Sequence, residues 1–241
     1  MDTRDPTAPR VPGPRGKAAR RPAAAAREAP RPDRRADILS SAEILFAERG
    51  YAGVSIRDIA ARAGVPVALV GYYFGRKPEL LASVFEARKD HLDERIARLR
   101  ALAGAGGGQD RMEARIEAIV RAWTEPVVRL HGSASGDHFS LLVARTAWDP
   151  GPEAMAVIAR FYDPLVEAFL DAMAAALPRC PRPRLLWAYE YAVGALLMYV
   201  ADKRIERLSG GSASPGDPAV FEDFVRFVSA GFHALCGPPA A

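Results

Sequence analysis

The sequence predicts an all-α protein of about nine helices. Apolar residues recur at helical spacing through most of the chain, and no segment alternates apolar and polar residues as a half-buried strand would. Over residues 33–49 an apolar stripe ends at Gly50, which is typical of a helix closed by glycine. Hydrophobic residues make up 49% of the 241 residues, which is ordinary for a globular protein of one large or two small domains.

A short stretch near the N-terminus has the pattern of two helices joined by a tight turn. Ser55 can cap the first helix, with Asp58 as its reciprocal partner three residues later. Gly64 tolerates the left-handed conformation that ends a helix, and Pro66 suits the first turn of the next one. Such a pair forms a helix-turn-helix, whose second helix enters the major groove of DNA. The pattern therefore predicts a DNA-binding protein.

The residues of this stretch resemble the N-terminal domain of the TetR (tetracycline-repressor) family. The matching residues are Arg57-Asp58-Ile59-Ala60, Ala63-Gly64-Val65, Tyr72-Tyr73-Phe74, Lys77, Glu79, Leu80 and Leu81. The resemblance runs from near Ala36 to near Phe85, about fifty residues. It implies a three-helix helix-turn-helix domain followed by a C-terminal helical domain for ligand binding and dimerisation. The alternative is a chance helical hairpin in another all-helical protein.

We expect three parts in the chain. Residues 1–32 form a disordered basic arm, residues 33–81 a helix-turn-helix DNA-binding domain, and residues 82–237 a helical effector-binding and dimerisation domain. In the second and third parts, helices are predicted over 33–49, 55–63, 67–74, 77–102, 110–131, 137–148, 150–177, 183–208 and 217–236. The helix from 110 is expected to be limited or kinked at Pro126, and the one from 150 to bend at Pro164. Flexible loops are expected at 103–109 and 132–136.

Positive charge is concentrated at the N-terminus. Residues 1–35 hold ten basic and four acidic residues, a net of +6, whereas the remainder holds 23 basic and 25 acidic residues, a net of −2. The arm can add phosphate contacts beside a DNA-binding domain. The alternative is a solvated extension of biased composition, because arginine outnumbers lysine 29 to 4 in the whole chain. Arg34 and Arg35, which adjoin the first helix, are the best candidates for DNA contact.

The family resemblance also implies a DNA-contacting face. The positions that match it are Ser55, Arg57, Pro66, Val67, Ala68, Leu69, Gly71, Tyr72, Tyr73 and Lys77. Tyr73 and Lys77 match positions that usually contact phosphates, whereas Val70 and Phe74 match core positions.

The predicted reading helix offers few polar groups. Val67, Ala68, Leu69 and Gly71 have no side-chain donor or acceptor, so direct readout would depend on contact with thymine methyl groups. Arg57 is a candidate for reading guanine or for binding phosphate. We expect part of the specificity to come from DNA shape.

Two apolar helices of the C-terminal half are candidates for the interface of a homodimer. Dimers place two recognition helices one turn of the duplex apart. The eighth predicted helix, over 183–208, is apolar nearly all round, and the last helix carries a stripe of phenylalanines. Because a helix with two apolar faces needs cover on both, one face can meet the partner. The alternative is that both helices are ordinary monomer core.

The resemblance implies a small-molecule effector site in the C-terminal domain. The candidate residues are Trp123, His138, Phe139, Arg145, Trp148, Phe161, Trp187, Glu190 and Tyr191. Arg145 and Glu190 lie among apolar residues, where burial would require a partner. We expect them to form an internal ion pair; the alternative is that they bind a polar group of the effector.

Several classes of protein are not supported. Cys180 and Cys236 lie far apart without metal-ligand spacing, which indicates a reducing compartment and no disulfide framework. The N-terminus has no apolar signal segment, and the longest apolar run, over 185–201, is short for a membrane span and contains Glu190, so we expect a cytoplasmic protein. No catalytic motif, phosphate loop or metal cluster occurs, so we expect neither an enzyme nor a cofactor.

The expected function is that of a ligand-responsive transcriptional regulator. It would bind a palindromic double-stranded operator as a dimer, repress transcription, and leave the operator when a small hydrophobic molecule binds. The alternatives are an effector-independent architectural DNA binder and a helical enzyme.

Overall fold

The computed structural model describes residues 33–104, 111–131 and 136–237. The predicted arm, residues 105–109 of the first predicted loop and residues 132–135 of the second lie outside these ranges. The helices are α1 (Arg34–Arg49), α2 (Ile56–Ala63), α3 (Val67–Phe74), α4 (Lys77–Glu86), α5 (Lys89–Gly104), α6 (Met112–His131), α7 (Gly136–Trp148), α8 (Pro152–Ala176), α9 (Arg182–Ala201), α10 (Arg204–Leu208) and α11 (Phe221–Cys236). No strand occurs in the described ranges, so the all-α prediction is confirmed, with eleven α-helices rather than nine.

The first helix begins where the sequence predicts. The carboxylate of Asp33 accepts hydrogen bonds from the backbone N–H groups of Arg35 and Ala36, each at 3.1 Å. Such a cap satisfies donors that have no partner inside the helix. At the other end the N–H of Gly50 donates to the carbonyl of Phe46 at 2.9 Å. Both ends of α1 are therefore fixed by local hydrogen bonds.

The single helix predicted over 77–102 is wrong, because the chain breaks between α4 and α5. Neither glycine nor proline marks the break. Instead, the guanidinium of Arg88 donates two hydrogen bonds to Glu43 of α1, at 2.8 and 2.9 Å, and the ring of His91 bonds the carbonyl of Arg88. Tertiary contacts thus override the local preference for a continuous helix.

The helix predicted over 183–208 also ends early. The carboxylate of Asp202 accepts hydrogen bonds from the backbone N–H of Arg204 at 3.1 Å and from its guanidinium at 2.7 to 2.9 Å. This local turn separates α9 from the short α10. Pro126 does not end the helix that contains it, since α6 runs through it, and α8 likewise runs through Pro164.

Aromatic rings connect the helices of the C-terminal half. The ring centroid of Trp123 lies 5.2 Å from that of Phe169 and 5.7 Å from that of Tyr189, which joins α6, α8 and α9. Phe232 of α11 packs on Phe169 at 5.5 Å. No helix in the described part of the chain is long and apolar enough to cross a membrane.

The structure pairs Cys180 with Cys236 in a disulfide, with 5.0 Å between the Cα atoms. The prediction of unpaired cysteines is therefore wrong. Cys180 lies in the turn between α8 and α9, and Cys236 is the last residue of α11. Packing of α11 against α6 and α9 closes the sequence separation of 56 residues, which the sequence spacing does not reveal.

We predict that reduction of this disulfide destabilises the chain without unfolding it. A cross-link over a loop of this length restricts the unfolded chain and contributes about 2–4 kcal/mol. Urea unfolding with and without dithiothreitol should show a lower midpoint in the reduced sample. The Cys180→Ser variant is the control, because it should match the reduced chain in both conditions. An unchanged midpoint, or two titratable thiols in the native chain, would contradict the pairing.

Candidate DNA-binding surface and effector cavity

A capping box fixes the start of α2. The backbone N–H of Ser55 donates to Asp58 Oδ2 at 2.8 Å, and Ser55 Oγ accepts from the N–H of Asp58 at 3.2 Å. The Ser55 hydroxyl also donates to Asp58 Oδ2 at 2.6 Å, and these hydrogen bonds lower the pKa of the Asp58 carboxyl. Gly64 ends α2 with φ of 64°, in the left-handed region that favours glycine. The predicted caps are confirmed, and they set the angle at which α3 leaves the turn.

One face of α3 packs on the core and the other lies in solvent. Val70 and Phe74 are buried, as predicted, whereas Tyr72 is 81% exposed. The other predicted DNA-contacting residues are also exposed, except Leu69 and Lys77, which are half-buried. A Cβ atom at Gly71 would meet nothing within 4 Å, so packing within the chain does not require glycine there. The outward face of α3 is therefore accessible to a macromolecule.

Two cations beside α3 lie over aromatic rings. The Nζ of Lys77 is 4.1 Å from the ring centroid of Tyr51, and the guanidinium carbon of Arg35 is 5.2 Å from that of Phe74. Burial lowers the pKa of the Lys77 ammonium, and the Glu153 carboxylate opposes this. Side chains held in this way lose less conformational entropy when they bind a phosphate.

A cavity of about 300 Å³ lies among the helices of the C-terminal half. This volume is at the lower end of the range for small-molecule pockets. Five helices form its wall, which is mostly apolar. Its polar and aromatic side chains are His91 and Arg95 of α5, Trp123 of α6, Phe139, Ser140 and Trp148 of α7, Tyr162 and Asp163 of α8, and Tyr189 and Glu190 of α9.

Four of the predicted effector residues line this cavity, namely Trp123, Phe139, Trp148 and Glu190. The other five are not in its wall. Phe161 packs against Phe85 with a centroid distance of 5.8 Å, and Trp187 and Tyr191 stack on each other at the surface. His138 and Arg145 also lie outside the cavity wall.

The predicted internal ion pair between Arg145 and Glu190 is wrong. Both residues are exposed, and no ion pair joins them in the described ranges. Apolar neighbours in the sequence do not imply burial, because a helix turns one residue in several toward water. Each charge is hydrated and needs no partner inside the fold.

Arg95 is the most deeply buried charged residue among the cavity residues that were not predicted from the sequence. It is only 3% exposed, and it lies between the buried Leu92 and Leu99 on the inner face of α5. The sequence around Arg95 is rich in charged residues, and such a segment is usually assigned to the solvent-exposed face of a helix. The spacing of the sequence indicates the burial of Arg95, because positions 92, 95 and 99 lie on one face of a helix.

The cavity wall is connected to α1 through two side chains of the α4–α5 junction. His91, which contacts Phe139 edge to face at 5.3 Å, donates from Nδ1 to the carbonyl of Arg88. Arg88 in turn binds the buried Glu43 through both carboxylate oxygens. Burial lowers the pKa of His91 to about 4, and the positive charges of Arg95 and Arg88 lower it as well. The imidazole is therefore neutral at pH 7.

Comparison with known families gives two matches, one in each half of the chain. Residues 38–84 match the model of bacterial regulatory proteins of the tetR family, and residues 121–231 match a tetracyclin repressor-like C-terminal domain. The first match contains α2 and α3, and the second contains most of the cavity wall.

Curated relatives match about a third of the chain. A helix-turn-helix-type transcriptional repressor of Mycobacterium tuberculosis is 47% identical over 81 residues, which are 33% of this chain and 41% of the relative. The transcriptional activator FasR of Mycolicibacterium smegmatis is 33% identical over 91 residues, 37% of this chain and 40% of the relative. The matched segment thus spans about two fifths of the length of these relatives.

Solved structures share the fold over nearly the whole chain. The hemolysin II transcriptional regulator HlyIIR has a TM-score of 0.56 at 16% identity, covering 84% of this chain and 97% of the other. The fatty acid degradation regulator FadR from Bacillus halodurans has a TM-score of 0.51 at 15% identity, covering 83% and 96%. At these identities the likeness supports the fold alone.

We predict that neutral His91 makes stability depend on pH between about 6.5 and 4. In this window the unfolded chain binds a proton at this histidine and the native chain does not, so the free energy of unfolding falls as the pH falls. The expected contribution between pH 7 and pH 5 is about 1–2 kcal/mol. Urea unfolding of the unmodified chain and of His91→Gln should be compared over this range, because glutamine keeps a donor but does not titrate. If the free energy of unfolding changes with pH in the same way in both chains, His91 is not the source of the pH dependence.

Proposed function

Because this chain belongs to the TetR family of transcriptional regulators, we propose that it represses transcription as a homodimer on a palindromic operator and is released by a small hydrophobic effector. The observation that carries the proposal is the presence of two sites in one chain. The outward face of α3 suits a DNA groove, and the cavity of about 300 Å³ suits a small molecule.

DNA binding would use α3 in the major groove and the cations around it on the backbone. Lys77, Arg35 and the hydroxyl of Tyr73 would contact phosphates, which fix the position of the protein on DNA without reading its sequence. Arg57 is exposed on α2 and is the one strong side-chain donor of the proposed face for a guanine edge. The apolar surface of α3 would contact thymine methyl groups, so DNA shape would supply part of the specificity.

Dimerisation through α9 and α11 is supported by the large apolar side chains that both helices expose. Trp187 and Tyr191 of α9 are 63% and 62% exposed and stack with a centroid distance of 6.1 Å. Phe227 of α11 is 71% exposed. A group of exposed aromatic side chains is typical of an interface. Leu185 and Val225 are buried on the opposite faces, so each helix has one face for the core and one for a partner.

The response to an effector would pass through the α4–α5 junction. A molecule in the cavity contacts His91, which bonds Arg88, and Arg88 holds Glu43 of α1. The predicted domain boundary at residue 81 falls inside α4, so this helix belongs to both the helix-turn-helix and the C-terminal half. Release then requires only that the effector bind one of two arrangements of this junction more tightly than the other.

Repression is favoured over activation by the relative with the higher identity, which is a repressor. An architectural DNA binder without an effector would have a filled core, so the cavity counts against that alternative. The enzyme alternative is also not supported, since the relatives are transcriptional regulators.

Footprinting on the promoter nearest the chain's own coding region tests the proposal. We expect one protected region with two half-sites about 34–36 Å apart, bound by a dimer in solution. Adding members of a library of hydrophobic compounds should remove the footprint for some of them. A chain that is monomeric at working concentration and protects no symmetric site would refute the proposal.

Replacing Lys77 with Ala should weaken binding to all DNA sequences alike. Loss of one phosphate contact lowers the slope of affinity against salt concentration by about one. Fluorescence anisotropy at several salt concentrations measures this, with Lys203→Ala on the exposed α9–α10 turn as the matched control. Leu69→Ala should instead change the preferred bases with little change in the salt slope. A Lys77→Ala variant that alters base preference but keeps the slope would contradict the phosphate role.

A further inference from the structure

We propose that the cavity binds a compact hydrophobic monocarboxylate, and that Arg95 binds its carboxylate group. This inference deepens the proposed function, because it names the class of molecule that the effector cavity takes. It rests on one unusual feature of the wall, a buried guanidinium that forms no ion pair with any described residue.

Arg95 has no carboxylate partner in the described part of the chain. Its side chain makes no described hydrogen bond or ion pair, and its Nε is buried without a hydrogen-bond partner. The carboxylate of the neighbouring Glu94 faces outward instead, where it binds Arg98 at 2.7 Å and Arg129 at 2.8 Å. The positive charge on the inner face of α5 is therefore unmatched. A buried charge of this kind is costly unless an opposite charge comes to it.

The groups around Arg95 cannot neutralise it. Burial raises the pKa values of Tyr162 and Tyr189, so both phenols stay protonated although the guanidinium opposes this. Asp163 and Glu190 also line the cavity, but both are exposed and hydrated. The nearest aromatic surface is Trp123, whose ring centroid is 5.9 Å from the guanidinium carbon.

Other buried donors in the wall also lack partners. The indole Nε1 of Trp123 and the hydroxyl of Ser140 are buried without a hydrogen-bond partner among the described residues. An indole N–H and a guanidinium can only donate, and a hydroxyl can donate. A wall with several free, buried donors is suited to an anion. The remaining wall is apolar, with side chains such as Val127, Leu165 and Leu196.

The size and charge of the site narrow the class of ligand. One guanidinium matches one planar carboxylate, which it can bind through two parallel hydrogen bonds. A cavity of about 300 Å³ with mostly apolar walls leaves room for a short alkyl chain or a fused aromatic ring. The ligand is thus one carboxylate on one compact apolar body.

Calorimetry with shape-matched probes tests the proposal. The probes are octanoate with octanol and octylamine, and 2-naphthoate with 2-naphthol. We expect each carboxylate to bind the full-length chain at least tenfold more tightly than its neutral analogue, and octylamine to bind least. Equal affinity of carboxylate and alcohol in both series would overturn the proposal.

Variants at position 95 separate recognition from folding. Arg95→Met should lose the preference for carboxylate while still binding octanol, and its ligand-free form should melt at a higher temperature because an unpaired buried cation is gone. Arg95→Lys should keep part of the preference. Arg98→Met, three residues along the same helix but on its outer face, should behave as the unmodified chain does. An Arg95→Met variant that still prefers carboxylates would overturn the role of Arg95.

Operator binding is measured separately, so that the two proposals can fail independently. Carboxylate binding that depends on Arg95 but leaves the operator complex intact supports this inference and contradicts release by the effector. Release by neutral compounds, with no preference for carboxylates, supports the proposed function and overturns this inference.

Discussion

The structure depends on the burial of Phe85 at the end of α4. Its side chain is fully buried, and its ring centroid lies 5.6 Å from that of Phe139 on α7 and 5.8 Å from that of Phe161 on α8. Truncation of a buried aromatic ring costs about 3–5 kcal/mol, a large part of the 5–15 kcal/mol that stabilises a typical domain. Because α4 begins next to α3 and ends in this cluster, the cluster sets the position of the recognition helix relative to the cavity.

The charges on α5 show how stability and function are divided within one helix. Arg98, on the outer face, lies between Glu94 and Glu125, where hydrated ion pairs contribute little to stability. Arg95, on the inner face, is buried and has no carboxylate partner among the described residues. A sequence selected for stability alone would place leucine or methionine there, since apolar replacement of buried ionic groups is often neutral or stabilising. A buried, unpaired charge that lowers stability is expected at functional sites.

The sequence predicted the N-terminal helices well because their limits are set locally. Asp33, Ser55, Asp58 and Gly64 act on backbone groups within a few residues, so their positions alone locate α1 and α2. The break after α4 was not predicted, because the contact seen at the break joins Arg88 to Glu43, 45 residues away in the sequence. The pairing of Cys180 with Cys236 was missed for the same reason, since helix packing brings their backbones together.

The cavity was harder to predict than the exposed face of α3. Aromatic residues of this chain serve as core, cavity wall and exposed surface alike, and their spacing in the sequence does not separate these roles. Trp123 of α6 and Trp187 of α9 both lie in apolar helices, yet Trp123 is buried in the wall and Trp187 is 63% exposed. A residue that lines a cavity differs from a core residue in having an empty volume beside it. That empty volume depends on how all five helices pack.

The unmatched charge of Arg95 also bears on how long the protein lasts in a cell. A molecule that binds only the native chain stabilises it by mass action, by about 2.7 kcal/mol when its concentration is a hundred times its dissociation constant. Proteases degrade transiently opened chains, so such a change alters the rate of turnover several-fold. An occupant that neutralises Arg95 would therefore raise the abundance of the regulator while it lowers the occupancy of the operator. The amount of regulator in the cell would then record past exposure to the ligand after the ligand itself is gone.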